Sequence, residues 1–122
     1  YLENKVLDYV FSGGSFSHPG TKHVALFTTA PGDDGTGGTE CSGTGYARQS
    51  VTLSTSGSAT TNSGAVEFPT AGSSWGTIVA AGVYDASTSG NLLAFNNLTA
   101  SKTIGSGDVF RINAGDLDIT LD

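Results

Sequence analysis

The sequence predicts an all-β domain: an antiparallel β-sandwich, jelly-roll-like, with a short N-terminal helix. The first observation is the stretch Trp75–Phe95, WGTIVAAGVYDASTSGNLLAF, whose first ten residues carry no charge and have apolar groups on both faces of a strand. Asp85–Gly90 interrupts it with turn formers, and Asn91–Phe95 returns as a second apolar run, so the whole reads as a central hairpin. The second observation is spacing, since short apolar runs recur about every 8–12 residues with turn signals between them. The third is composition: 18 glycines in 122 residues, abundant Ser and Thr and no Met suit many short strands joined by tight turns. A helical protein would need more Ala, Leu, Glu and Lys.

The length suits one domain, with residues 1–13 as an N-terminal helical arm and 14–122 as a single β-sandwich. At this size folding removes roughly two-thirds of the unfolded chain's surface from water, enough for an ordinary core without disulfides or metals.

Taken in order, Leu2–Phe11 is the one helical pattern. Leu2, Val6 and Val10, with neighbours Leu7 and Phe11, form one stripe at helical spacing, and Gly13-Gly14 supplies the stop. At about three turns such a helix is marginal alone and is expected to dock its stripe on its own sheet or a neighbouring subunit. Lys22–Thr29 is the first strand, with Val24 and Leu26 on one face and His23, Ala25 and Phe27 on the other. Ala30–Gly45 reads as a long, exposed Gly-rich loop of the kind used for contacts. Tyr46–Leu53 resumes a strand, with Ala47, Val51 and Leu53 opposite Tyr46, Arg48 and Thr52.

Ser54–Gly64 is polar, a loop or an exposed edge strand, and Ala65–Phe68 is a short strand in which Val66 and Phe68 share a face. Strict alternation in Trp75–Tyr84 puts Trp75, Thr77, Val79, Ala81 and Val83 on one side and Ile78, Ala80 and Tyr84 on the other. After the hairpin, Leu98–Ile104, Val109–Ile112 and Leu117–Asp122 are separate strands, the last alternating between apolar Leu117, Ile119, Leu121 and polar neighbours. The expected core is Trp75, Ile78, Val79, Val83, Leu93, Phe95, Phe110, Ile112, Leu117, Ile119 and Leu121.

A net charge of −6, from eleven acids and five bases, provides no electrostatic footprint for nucleic acid and no basic patch for an anionic membrane. The longest uncharged stretch is broken by Gly and Ser, which does not support a transmembrane helix. No signal peptide is visible, and a chain opening on Tyr1 is expected to lack its initiating residues. Cys41 is alone, so an intramolecular disulfide is ruled out.

No set of residues assembles a catalytic, cofactor or metal site. His18 and His23 lie five apart with no ligand partner at strand spacing. Asp33-Asp34-Gly35 resembles part of a calcium loop but lacks the alternating oxygens and closing Glu, and reads as an acidic turn. Asp108, Asp116 and Asp118 fall in turns or on a wet face, without the apolar pocket that splits paired carboxylates. Cys41 has no nearby base to activate it. Gly43-Thr-Gly45 and Gly105-Ser-Gly107 have no following helix or Lys to cradle phosphate, and Asn97-Leu-Thr99 matches a glycosylation pattern common by chance. Trp75, the single Trp, suits core packing better than a sugar platform. Arg48 is the suggestive residue: in a strand beside the acidic loop, it is placed to pin that loop by a bidentate carboxylate contact.

The ordered blocks LENKVLDYVF, HVALFTTAP, GGTECSGTGYARQSVT, WGTIVAAGVYDASTSGNLLAF, SKTIGSGDVF and AGDLDITLD, covering nearly the whole chain, resemble a family of small tailed-bacteriophage structural proteins commonly labelled phage tail fibre proteins. Cys41 stands where an aliphatic residue is expected, a small apolar replacement. The resemblance implies a non-enzymatic virion protein, assembled in the bacterial cytoplasm, with no catalytic residue to carry over. A fibre shaft calls for heptads, collagen-like triplets or β-helical repeats, and none is present. The expectation is therefore a capsid cement or decoration protein that binds the major capsid protein and copies of itself, as a homotrimer, and stabilises the shell. The alternative is a tail fibre or tail-associated subunit that contacts other tail proteins or host surface glycans; a carbohydrate-binding module ranks lower for want of exposed aromatics. The expected contact residues are Leu2, Val6, Val10 and Phe11 in the arm, Asp33, Asp34 and Glu40 in the Gly-rich loop, and Arg48.

Overall fold

A computed structural model describes residues 2–14, 20–32 and 36–120, with backbone alone for Leu2, Glu3 and 118–120. His18, Asp33, Asp34 and Leu121, and the side chains of Leu2 and Ile119, lie outside the described residues. Helix α1 spans Leu2–Leu7 and widens into a π-helical turn, Asp8–Ser12, that ends at Gly13 with φ 74°. Ten strands follow: β1 Lys22–Thr29, β2 Thr39–Glu40, β3 Gln49–Val51, β4 Leu53–Ser56, β5 Ala59–Asn62, β6 Val66–Glu67, β7 Gly76–Tyr84, β8 Leu92–Ile104, β9 Arg111–Ile112 and β10 Asp118–Thr120.

All the described pairs are antiparallel, and the fold is an all-β sandwich with a short N-terminal helix. The main sheet runs β2-β1-β7-β8, with β3 also on β1; β10-β5-β4 and the ladder β6-β9 face it. The expected central hairpin is β7–β8. Between the layers, Val24 and Leu26 from β1 meet Ile78 and Ala81 from β7, Val66, Phe68, Trp75 and Phe110. Ala25, Phe27 and Ala80 form a smaller cluster on the outer face of the main sheet. Strand β1 thus has the predicted bounds and the predicted two faces.

Several elements differ from the sequence reading. Asn91–Phe95 and Leu98–Ile104 are one 13-residue strand, β8. Its register against β7 jumps from Asn97↔Ala80 to Lys102↔Ile78, so that Leu98–Ser101 stand opposite Val79 alone. This bulge breaks the strict alternation of β7: Trp75, Ile78 and Ala81 share the inner core, whereas Val79, Ala80 and Tyr84 belong to the outer cluster. Because β8 is also the sheet's edge, Leu93 and Phe95 are half-buried and not core, and Val79, Ile112 and Leu117 are likewise half-buried.

The stretch Tyr46–Leu53 is not one strand. Thr44-Gly45 turns the chain, β3 starts only at Gln49, and Tyr46 packs in the same core as Val51 instead of opposite it. Ser54–Gly64 holds the β4–β5 hairpin. The Gly-rich loop contains β2, and Cys41, expected in an exposed loop, is 4% exposed. Its stripe notwithstanding, the arm does not dock fully: Val6 is half-buried, but Leu7, Tyr9, Val10 and Phe11 are 55–78% exposed.

Candidate functional site

Strand β1 explains why Glu40, Tyr46 and Arg48 converge. On its edge away from β7, β3 pairs with Lys22–Val24 and β2 with Phe27–Thr29. Leu26 falls in the gap between them and is fully buried, so its backbone groups need other partners. The Leu26 amide donates to the Tyr46 hydroxyl at 3.0 Å, and the Cys41 amide donates to the Leu26 carbonyl at 2.8 Å. The Tyr46 hydroxyl in turn donates to Glu40 Oε2 at 2.6 Å. The Tyr46 ring stacks on Phe68 at 6.1 Å and meets Trp75 edge-on at 5.5 Å, and the Trp75 Nε1–H donates to the Thr44 carbonyl at 2.9 Å.

Arg48 completes the cluster with the bidentate grip expected of it. Its Nε and Nη2 donate to the two Glu40 oxygens, each at 2.9 Å. Its Nη1 donates to the carbonyls of Ala86 at 3.1 Å and Ser89 at 2.7 Å in the β7–β8 turn, and its Cζ lies 3.7 Å from the centre of the Tyr84 ring. Ser89 has φ 52°, an uncommon conformation for a residue with a side chain. The base of the turn is closed by Asp85, whose carboxylate accepts from the Asn91 amide at 2.7 Å and the Asn91 side chain at 3.0 Å. One arginine, its side chain 8% exposed, therefore ties the Gly-rich loop and the hairpin turn to the segment that leads into β3.

The electrostatics follow from this packing. Partial burial pushes the Glu40 carboxyl up, but the hydrogen bonds from Arg48 and Tyr46 and the Arg48 charge outweigh it, leaving the group below its ordinary value. Burial first, and then the bond to Glu40, push the Tyr46 phenol well up. Burial also pushes the Cys41 thiol up, which suits a core residue and not a nucleophile. Among the described residues no three His, Cys, Asp or Glu side chains gather as a metal site would require.

Two features remain outside the cluster. Among the described residues, the arm carries four of the five large exposed apolar side chains, Leu7, Tyr9, Val10 and Phe11; the other is Val109. A cleft of about 810 Å³ opens along the bulged part of β8, between it and the segment Phe110–Leu117, and its lining includes the half-buried Leu98 and Ile112 and the exposed Lys102 and Arg111. Of the expected contact residues, Glu40 and Arg48 are brought together and are spent on each other, whereas Val6, Val10 and Phe11 lie in the arm apart from them. Tyr84 and the carbonyls of the 85–90 turn were not singled out, because a carbonyl's direction has no signature in residue type. Trp75 is 4% exposed and so is no platform for sugars.

No curated protein matches the chain. A family model described as Podophage GP4 fiber I protein gp80 matches residues 1–120. That description favours the fibre alternative over the cement reading. The match runs from the arm to the final strand, and the chain belongs to this family of virion-associated phage fibre structural proteins.

Proposed function

We propose that the protein is a non-enzymatic subunit of a phage tail fibre, and not a cement protein of the head. The observation that supports this is the family match over residues 1–120. The architecture suits the role. The Arg48 cluster ties the Gly-rich loop to the hairpin turn, and the exposed apolar residues of the arm are available for contact with a neighbouring virion protein.

The test is to locate the chain in a cryo-EM map of the intact particle and to delete its gene. Density at the fibres, with deletion particles that keep heat-resistant heads but adsorb poorly, is the expected result. Density on the head surface, with deletion heads that fall apart on heating, would return the cement reading, in which binding to the assembled shell shifts it away from disassembly.

A further inference from the structure

We infer that the N-terminal arm of one copy docks into the β8 cleft of a second copy, so that the protein assembles head to tail through arm exchange. The inference rests on reading the arm as a contact surface, but not on where in the particle the protein sits.

The donor is visible in the arm. Leu7, Tyr9, Val10 and Phe11 are adjacent, 55–78% exposed, and lie on a π-helical turn with no buried residue. A π-helical turn is a poor arrangement on backbone energetics and is found mostly where something functional holds it. Leaving four large apolar side chains in water adds to that cost, and a patch of this kind marks an interaction site. Gly13, at φ 74°, ends the helix, and Gly14 follows it, so the arm leaves the sandwich through a backbone that tolerates a change of direction.

The acceptor is visible in β8. It is the longest strand, 13 residues, and it ends the main sheet, so β7 covers one edge only. Across Leu92–Thr103 no described residue pairs with the other edge. The cleft runs along this strand, and no residue of the arm lines it, although α1 lies close to β8 of its own chain. Its lining includes the half-buried Leu98 and Ile112, which offer apolar surface to an apolar arm. Natural edges of this length are usually blunted by charge or cover, and here Lys102 is the single charge in the strand.

Charge selects a second copy of this chain as the occupant. Two chains of net charge −6 repel over most of their surfaces. The cleft collects Lys102 and Arg111, two of the five cations, against one acid, Asp116. It is therefore a place where an acidic copy can approach at low cost, and the exposed Asp8 of the arm supplies the complementary charge. Because donor and acceptor are different surfaces, the contact is heterologous and forms a ring if the rotation closes.

The experiment uses the full chain. Sedimentation of the wild type is expected to show assembly that rises with concentration. Val10→Asp with Phe11→Asp, and separately Lys102→Glu with Arg111→Glu, change exposed side chains and are each expected to weaken association at least about tenfold while the unfolding midpoint stays put. Phe11→Cys chains mixed with Ala100→Cys chains should form a disulfide between the two kinds of chain under mild oxidation. A wild type that stays monomeric into the millimolar range overturns the inference, as does assembly undiminished in both double variants. So does a mixture that yields no disulfide between the two variants. Fibre placement is read on the particle, so a failure there leaves these outcomes unchanged.

Discussion

The backbone amide of Leu26 donates to the hydroxyl of Tyr46 at 3.0 Å, twenty residues away in sequence. A side chain thereby takes the place of a missing strand between β2 and β3. The same hydroxyl donates to Glu40, which Arg48 holds from the other side. A single phenol oxygen thus links the edge of the main sheet to the ion pair.

Tyr46→Phe keeps the ring that packs on Phe68 and Trp75 but removes that oxygen. It leaves the buried Leu26 N–H without an acceptor and Glu40 with one donor fewer. The expected loss is roughly 2–3 kcal/mol, read as a shift in the urea midpoint at unchanged slope. A loss no greater than that of an exposed Tyr9→Phe would show that water replaces the hydroxyl.

The cluster also sets how stability responds to pH. Glu40 has a folded pKa below its ordinary 4.5, so its contribution is present above that value and is lost as pH falls through the lower folded pKa. Tyr46 has a folded pKa above its ordinary 10, so its contribution is present below that value and fades as pH rises toward the folded pKa. Urea midpoints measured across the pH range should fall at both ends. Glu40→Gln should flatten the acid limb and Tyr46→Phe the alkaline one; limbs that keep their wild-type steepness would place the titration elsewhere.

Gly43 lies against the indole of Trp75. A Cβ there would overlap Trp75 Cδ1 and come within 3.1 Å of the Ser74 carbonyl. Gly43→Ala should displace the ring and weaken its 2.9 Å bond to the Thr44 carbonyl. A cost of about 1–3 kcal/mol follows for an overpacked core. Since Trp75 is the only Trp, its fluorescence reports the change directly, and a red-shifted emission is expected.

Asn62 is 2% exposed and holds the last turn to the second sheet. Its Nδ2 donates to the carbonyls of Gly64 and Asn113, and its Oδ1 accepts from the amides of Gly115 and Leu117. Asn62→Ala removes all four bonds and should cost roughly 3–4 kcal/mol, at about 1 kcal/mol for each. Hydrogen exchange at Leu117 should accelerate far more than at Gly115, whose amide keeps its bond to the Asn62 carbonyl, or at Val24 and Leu26. Uniform acceleration across all four amides would show a global effect and no local latch.

Much of the strand content was legible because period-2 alternation is a local property. Lys22–Thr29 shows its bounds and both faces in residue type alone, and Phe68, Trp75 and Ile78 are apolar residues that proved to be core. The acid in the loop and the Arg in the following segment predicted a bidentate contact, and Glu40 and Arg48 make one. Alternation failed where the partner strand intervened. The bulge opposite Val79 belongs to the pairing of β7 with β8, and neither strand's residues announce it. Phe95 looked like core by composition, yet it lies on the last strand of the main sheet and is half-buried.

Residue chemistry alone carried the fold class, the positions of most strands and the charge balance, since these depend on neighbours a few residues apart. Tertiary structure decided which edges are covered and which polar groups are paired. Tyr46 meets Leu26 across 20 residues, and Asn62 meets Leu117 across 55. A buried donor must find an acceptor wherever the chain's path brings one. That path emerges from the whole set of pairings at once, so it cannot be read from any single stretch.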